Sequence, residues 1–218
     1  MEQTNIDALF ATPDRRMGNI RKWLRILLAV RIATLSFSFL ASLINLGKLY
    51  NWIQAGLDIA VMFCLLQLRK ENRLYKLAAG LMAADLVICL PDYVTFFRSI
   101  LPDGYLELVF PMAQAFYYLG LVCGLGAVVA QYLAHRRLVK PYSPQMGKYW
   151  LYLLIANLAV SVLISGLGSV FASWIESGAL SVITYQKYIF PLLRLPDRAV
   201  SLLYMLCLYK TERALHKT

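Results

Sequence analysis

The sequence predicts an all-α integral membrane protein: a six-helix transmembrane bundle with both termini cytoplasmic and with helices 3 and 6 interrupted. Three observations predict it. The chain is 60% hydrophobic and only 16% charged, where an average soluble domain carries about 25% charged residues. Its apolar residues gather into stretches at 26–46, 50–68, 77–97, 108–133, 150–173 and 188–208, each suited to a hydrocarbon core about 30 Å thick. Its basic residues fall in alternate connections, the pattern of segments that stay on the cytoplasmic side. Arg15, Arg16, Arg21, Lys22 and Arg25 precede the first stretch, Arg69, Lys70, Arg73 and Lys76 join the second to the third, Arg136, Arg137, Lys140 and Lys148 join the fourth to the fifth, and Lys210, Arg213 and Lys217 follow the sixth. The other connections hold only Lys48, Arg98 and Lys187. The division is a basic segment 1–25, one membrane domain 26–208 and a basic tail 209–218.

Segment 1–25 opens MEQTNIDALFATPDRR, acidic and polar where a cleavable signal peptide would be basic and then apolar. The first span is therefore expected to direct its own insertion. Met17, Ile20 and Leu24 recur at helical spacing among five basic residues, which fits an amphipathic lead-in along the inner interface. An ordinary basic flank fits equally well.

Span 1 carries Arg31, Thr34, Ser38, Ser42 and Asn45 on one helical face, and Ala29 and Ala33 one turn apart. Span 2 carries Gln54 one turn from Asp58, and span 3 places Asp85 and Asp92 seven residues apart on one face. Pro91 in span 3 and Pro196 in span 6 each lack a backbone donor and clash with the preceding turn, so each should interrupt its helix. Span 4 contains Gly120 and Gly124, and span 5 contains Asn157, Ser161 and Ser165 at successive fours. The glycine pair and the serine pair read as close-packing faces. Span 6 contains LLRLPDRAV, with Arg194, Asp197, Arg198 and Ser201 in one band. Trp23, Trp52, Trp150 and Trp174 fall at span ends, where an indole sits well at the membrane interface.

Leu-Pro-Asp occurs at 90–92 and at 195–197, in the third and sixth spans, and a third time at 101–103, where with Gly104 it reads as an ordinary turn in an outer loop. Paired broken helices in equivalent positions are a mark of transporters built from inverted repeats. Spans 1 and 4 show no matching similarity, so the tripeptide is the whole of that signal.

Seven ionisable residues lie inside the spans: Arg31, Asp58, Asp85, Asp92, Arg194, Asp197 and Arg198. Each costs about 2.5 to 3.5 kcal/mol near a helix centre if unpaired, roughly 20 kcal/mol together, which is more than a typical domain's stability. They are expected to face the bundle interior, with Arg194 paired to Asp92 and Arg198 to Asp58 or Asp85. These seven are the candidate substrate- or ion-binding residues, the arginines for anions and the aspartates for protons or cations. The other view of them is a structural ion-pair lock.

Other chemistry has no signature. Cys64, Cys89, Cys123 and Cys207 are isolated within spans, His135 and His216 stand at span ends, and no metal, nucleotide or nucleophile motif occurs. No catalytic residue, metal site or cofactor is assigned. The net charge of +10 reads as an orientation signal toward the cytoplasm and anionic lipid, with no module for nucleic acid. The leading expectation is a transport-type protein of the plasma or inner membrane that binds a small polar or ionic solute near the midplane. A non-catalytic subunit docking a membrane partner through Ala29 and Ala33 is the second, and an enzyme acting on lipid headgroups the third.

Overall fold

A backbone in hydrocarbon has to satisfy its own N–H and C=O groups, so a chain this apolar that is not a closed barrel has to be helical. The computed structural model describes residues 13–43, 48–93 and 104–216, with side chains described for 16–41, 52–88, 118–185 and 187–216. Among these residues there is no strand. The long helices are α1 (Pro13–Leu43), α2 (Lys48–Leu68), α3 (Arg73–Tyr93), α4 (Gly104–Val139) and α5 (Pro144–Glu176). The last apolar stretch is segmented into α6 (Val182–Thr184), a π-helical turn (Tyr185–Ile189), α7 (Phe190–Leu193) and α8 (Leu195–Ala214).

Three helices are long and apolar enough to cross a membrane, over Arg16–Ala41, Tyr118–Val139 and Pro144–Glu176. Their outward faces are apolar, as lipid requires: Ile32, Leu40, Val122, Ile155 and Val162 are all exposed. The molecule is thus an all-helical membrane protein.

Several boundaries differ from the sequence reading. α1 begins at Pro13 and runs unbroken into the membrane stretch, because Ile20 and Leu24 are buried in the protein core with Met17 packed against it. The basic lead-in therefore packs on protein instead of lying along the interface. α3 is not interrupted at Pro91 but continues to Tyr93, so Pro91 falls in its final turn, where the missing donor leaves the Val87 carbonyl without its helical partner just before the helix ends. The last stretch is broken as expected, at Arg194, whose φ of −83° and ψ of −9° leave ideal helix geometry. A second proline acts there too: ahead of Pro191, the N–H of Phe190 bonds back to Tyr185 O, five residues away, which widens the preceding turn.

Consecutive long helices pack side by side, and α8 packs on both α5 and α1, closing a ring. The α3–α4 contact is intimate because of Gly126, where an added Cβ would lie 3.1 Å from Leu81 Cδ1. Buried side chains concentrate toward one end. Leu24 and Leu27 of α1, Leu65 and Leu68 of α2, Tyr75 of α3, Ala134 and Val139 of α4, Trp150 of α5 and Leu208 of α8 all belong to that core. It is the end bearing the basic connections.

Ionic and polar contacts fasten the same end. Glu212, 6% exposed, accepts from Arg21 Nε at 3.1 Å and from Arg25 Nη2 at 2.8 Å, joining α8 to α1. Arg16 reaches Glu71 at 2.7 Å after α2. Trp150 donates from Nε1 to Thr211 Oγ1 at 2.9 Å, joining α5 to α8. Its burial departs from the interfacial place expected of it, and the reason is that hydrogen bond together with ring contact on His135 at 4.6 Å. Trp52 and Trp174 are exposed.

Glu212→Gln keeps the shape but removes the buried charge that two arginines share. A loss of about 2 kcal/mol is expected, read as a lower thermal unfolding midpoint in detergent relative to an exposed control such as Glu176→Gln.

Candidate functional site

Away from the packed end the ring opens around a cavity of about 800 Å³. α1 lines it with Arg31, Thr34, Leu35, Ser38 and Ala41, so the wall extends ten residues, about 15 Å at helical rise, from the level of Arg31. α5 adds Asn157 and Ser161, and α2 adds Gln54. The broken last stretch contributes most of the charge, with Arg194, Asp197, Arg198 and Ser201. Gln131, Tyr132 and Tyr204 close the cavity toward the core.

The arginines are posed by different devices. Arg198 stacks on Phe39, its guanidinium 4.2 Å from the ring centre, and Arg194 lies 5.1 Å from the Phe190 centre. Stacking on an aromatic face holds the guanidinium plane and leaves its edge donors for a ligand. Arg31 donates from Nη2 to Gln131 Oε1 at 3.1 Å and sits 5.5 Å from the Tyr204 ring centre. Its Nε is buried with no hydrogen-bond partner. Asp197 occupies the first turn of α8, where the helix N-terminus favours a negative charge.

Below Arg31 runs a buried hydrogen-bonded chain. Gln131 Nε2 donates to Tyr204 Oη at 2.6 Å, Tyr204 Oη meets His135 Nε2 at 2.9 Å, and His135 Nδ1 meets Tyr75 Oη at 2.9 Å. A neutral imidazole satisfies both contacts, accepting from Tyr204 and donating to Tyr75. The Gln131 amide uses its oxygen for Arg31 and its nitrogen for Tyr204, which fixes its orientation. With Trp150 and Tyr132 packed around His135 and Tyr204, the chain forms a polar-cored aromatic plug between cavity and basic end.

A smaller chamber of about 300 Å³ adjoins the first and holds Asp58 and Asp85 with Met82, Leu86, Gly124 and Ala127. Arg31, Val128 and Gln131 line both spaces. Asp58 accepts from Gln54 Nε2 at 3.3 to 3.4 Å, so Gln54 in the large cavity also touches the acid of the small one. A Cβ at Gly124 would stand 3.5 Å from Asp85 Oδ2, an ordinary contact distance.

The seven candidate charges therefore divide. Arg194, Asp197 and Arg198 line the large cavity, Asp58 and Asp85 the small one, and Arg31 belongs to both. Asp92, and with it the expected pair to Arg194, lies outside the described side chains. The expected partner of Arg198 was Asp58 or Asp85; the structure gives Arg198 the Phe39 ring and Asp58 the Gln54 amide, and both acids line the small chamber while Arg198 lines the large cavity. Of the polar face on α1, Arg31, Thr34 and Ser38 line the large cavity, while the side chains of Ser42 and Asn45 lie outside the described residues. Ser161 faces the cavity and Ser165 is exposed, so this pair is not a closed packing face. Cys64 and Cys123 are buried free thiols and Cys207 is half-buried.

Gln131, Tyr204 and Tyr75 were not singled out from the sequence, His135 was read only as standing at a span end, and Trp150 only as an interfacial ring. The available signal was spacing: Gln131 and His135 lie one turn apart on α4, as do Tyr204 and Leu208 on α8. Among the described residues no group of His, Cys, Asp or Glu is arranged to hold a metal ion. No protein-family model matches this chain, and no curated protein or solved structure resembles it significantly.

Tyr204→Phe removes one hydroxyl yet strands Gln131 Nε2 and a nitrogen of His135 in a dry core. A destabilisation of about 2 to 3 kcal/mol is expected, larger than that of Tyr209→Phe on the exposed face of α8. Equal unfolding midpoints for the two variants would show that the chain carries no stability.

Proposed function

We propose that this protein is a small transport-type membrane protein that binds a small anionic solute in the arginine-walled cavity. The observation that carries the reading is the convergence of Arg31, Arg194 and Arg198 on one space whose single lining carboxylate among the described residues is Asp197. Arginine presents fork-shaped donors that suit carboxylate, phosphate or sulfate groups. Hydroxyl and amide groups from Thr34, Ser38, Asn157, Ser161 and Ser201 suit a polar body, and Asp197 suits a hydroxyl or ammonium on the same solute.

In this reading the chain spans the plasma or inner membrane six times, counting the segmented last stretch as the sixth crossing, with both termini cytoplasmic. The packed basic end then faces the cytoplasm and the plug closes that side, so the cavity is reached from the opposite face. The break at Arg194 and Pro196 gives the last stretch a flexing point beside the cavity charges. A binding subunit of a larger membrane complex would use the same cavity. Ala29 and Ala33, exposed on α1, would give such a partner a close approach.

Calorimetric titration of the purified protein with sulfate, succinate and glycerol phosphate tests the reading, with choline as a cationic control. At least one anion is expected to bind, and Arg194→Gln or Arg198→Gln should weaken it by about tenfold or more, the worth of a charge-assisted hydrogen bond. Binding of choline alone, or anion affinity indifferent to both substitutions, would refute it.

A further inference from the structure

We propose that Arg31 links anion binding in the large cavity to proton occupancy of the Asp58–Asp85 chamber, so that solute and proton are bound together. The inference rests on the anion-binding reading above and adds an ion coupling to it. Its basis is that one guanidinium is the shared wall of two oppositely charged spaces.

Arg31 is fixed in place without being matched by a charge in direct contact among its described partners. Gln131 holds Nη2, the Tyr204 ring supports the plane, and Nε is buried and without a partner. A donor left unmade in a dry setting is costly, and a ligand anion reaching it would relieve that cost. On the other side, the positive charge of Arg31 and the negative charge of Asp85 both act on Asp58.

The charged and titratable groups around the chamber can be taken helix by helix. α1 supplies Arg31, α2 supplies Asp58 and, toward Arg31, the Cys64 thiol, and α3 supplies Asp85. α4 supplies Gly124, Ala127, Val128 and Gln131, none of which titrates. Beyond Gln131 lie Tyr204 of α8 and His135 of α4, and the large cavity adds Tyr132 of α4 with Arg194, Asp197 and Arg198 of the last stretch. Among the described residues, two acids thus lie beside one cation. With both ionised, their two negative charges hold Arg31 and repel an anion next door. A proton transferred from water to a carboxylate oxygen of Asp58 or Asp85 removes one of those charges and leaves Arg31 more available to the solute. The surrounding helices screen these terms less than bulk water does, so each is stronger than at a surface. By thermodynamic linkage, the anion must then promote proton uptake as much as the proton promotes anion binding.

Sulfate is the probe, because it stays a dianion from neutral to mildly acidic pH. In wild type its affinity is expected to rise by about tenfold on acidification, and adding it to weakly buffered protein should draw protons from solution. The double variant Asp58→Asn, Asp85→Asn should bind sulfate at neutral pH as tightly as wild type does in acid, with no pH slope and no proton uptake. Asp197→Asn, on the far side of Arg31, should keep the slope. Sulfate binding by wild type with no proton uptake overturns the coupling and leaves the anion site standing, as does a slope that survives in the double variant or disappears in Asp197→Asn. Failure of wild type to bind sulfate at any pH overturns the coupling together with the anion reading for this dianion. The wild-type proton measurement decides the matter even if the double variant does not fold.

Discussion

A guanidinium carried into hydrocarbon has to find water, a counter-charge or acceptors, and the way Arg31 meets that demand organises the rest of the molecule. Gln131 accepts from it across the ring of helices, and because that amide is then committed, its nitrogen turns to Tyr204. Tyr204 passes the requirement to His135, and His135 to Tyr75. One buried chain thereby ties α1, α3, α4 and α8 at a common level. A half-satisfied network of this kind would be worse than an apolar core. Its completion, save for Arg31 Nε, explains why the helices have a single arrangement there.

The two ends of the bundle follow from what each has to do with its polar groups. At the basic end, long side chains reach across helix boundaries to Glu212 and Glu71, while leucines, alanines and Trp150 fill the space between. At the other end, small polar side chains replace leucine on the inner faces of α1 and α5. The last stretch is broken by two prolines and cannot pack as a straight rod. A ring of helices whose inner faces are small and polar encloses volume, and the cavity is that volume.

Separating the charges into two spaces has a functional corollary. Had the arginines paired directly with the aspartates, the interior would be a neutral lock with nothing left for a ligand. Among the described residues, aromatic rings support Arg194 and Arg198 and an amide supports Arg31, so there their charge is posed without a carboxylate in contact. This arrangement is what makes the proposed anion site chemically reasonable, and Arg31 as the shared wall is what suggests that the acids take part.

The sequence by itself determined the environment and the elements. Its apolar stretches made helices unavoidable, Pro196 marked the break in the last stretch, and the spacing of Arg31, Thr34 and Ser38 marked one face of α1. These features are local, set by periodicity and by the missing donor of proline, and so they are legible in one dimension. Which charges meet was not, because contact between α1, α4 and α8 depends on how far each helix is rotated and tilted, and a few tens of degrees exchange one partner for another. Hence the expected pairing of Arg198 with Asp58 or Asp85 gave way to Phe39 beside Arg198 and Gln54 beside Asp58. His135, unremarkable at a span end, became the centre of the plug. Only tertiary packing brings a tyrosine to each of its nitrogens, and only packing placed one arginine between two cavities.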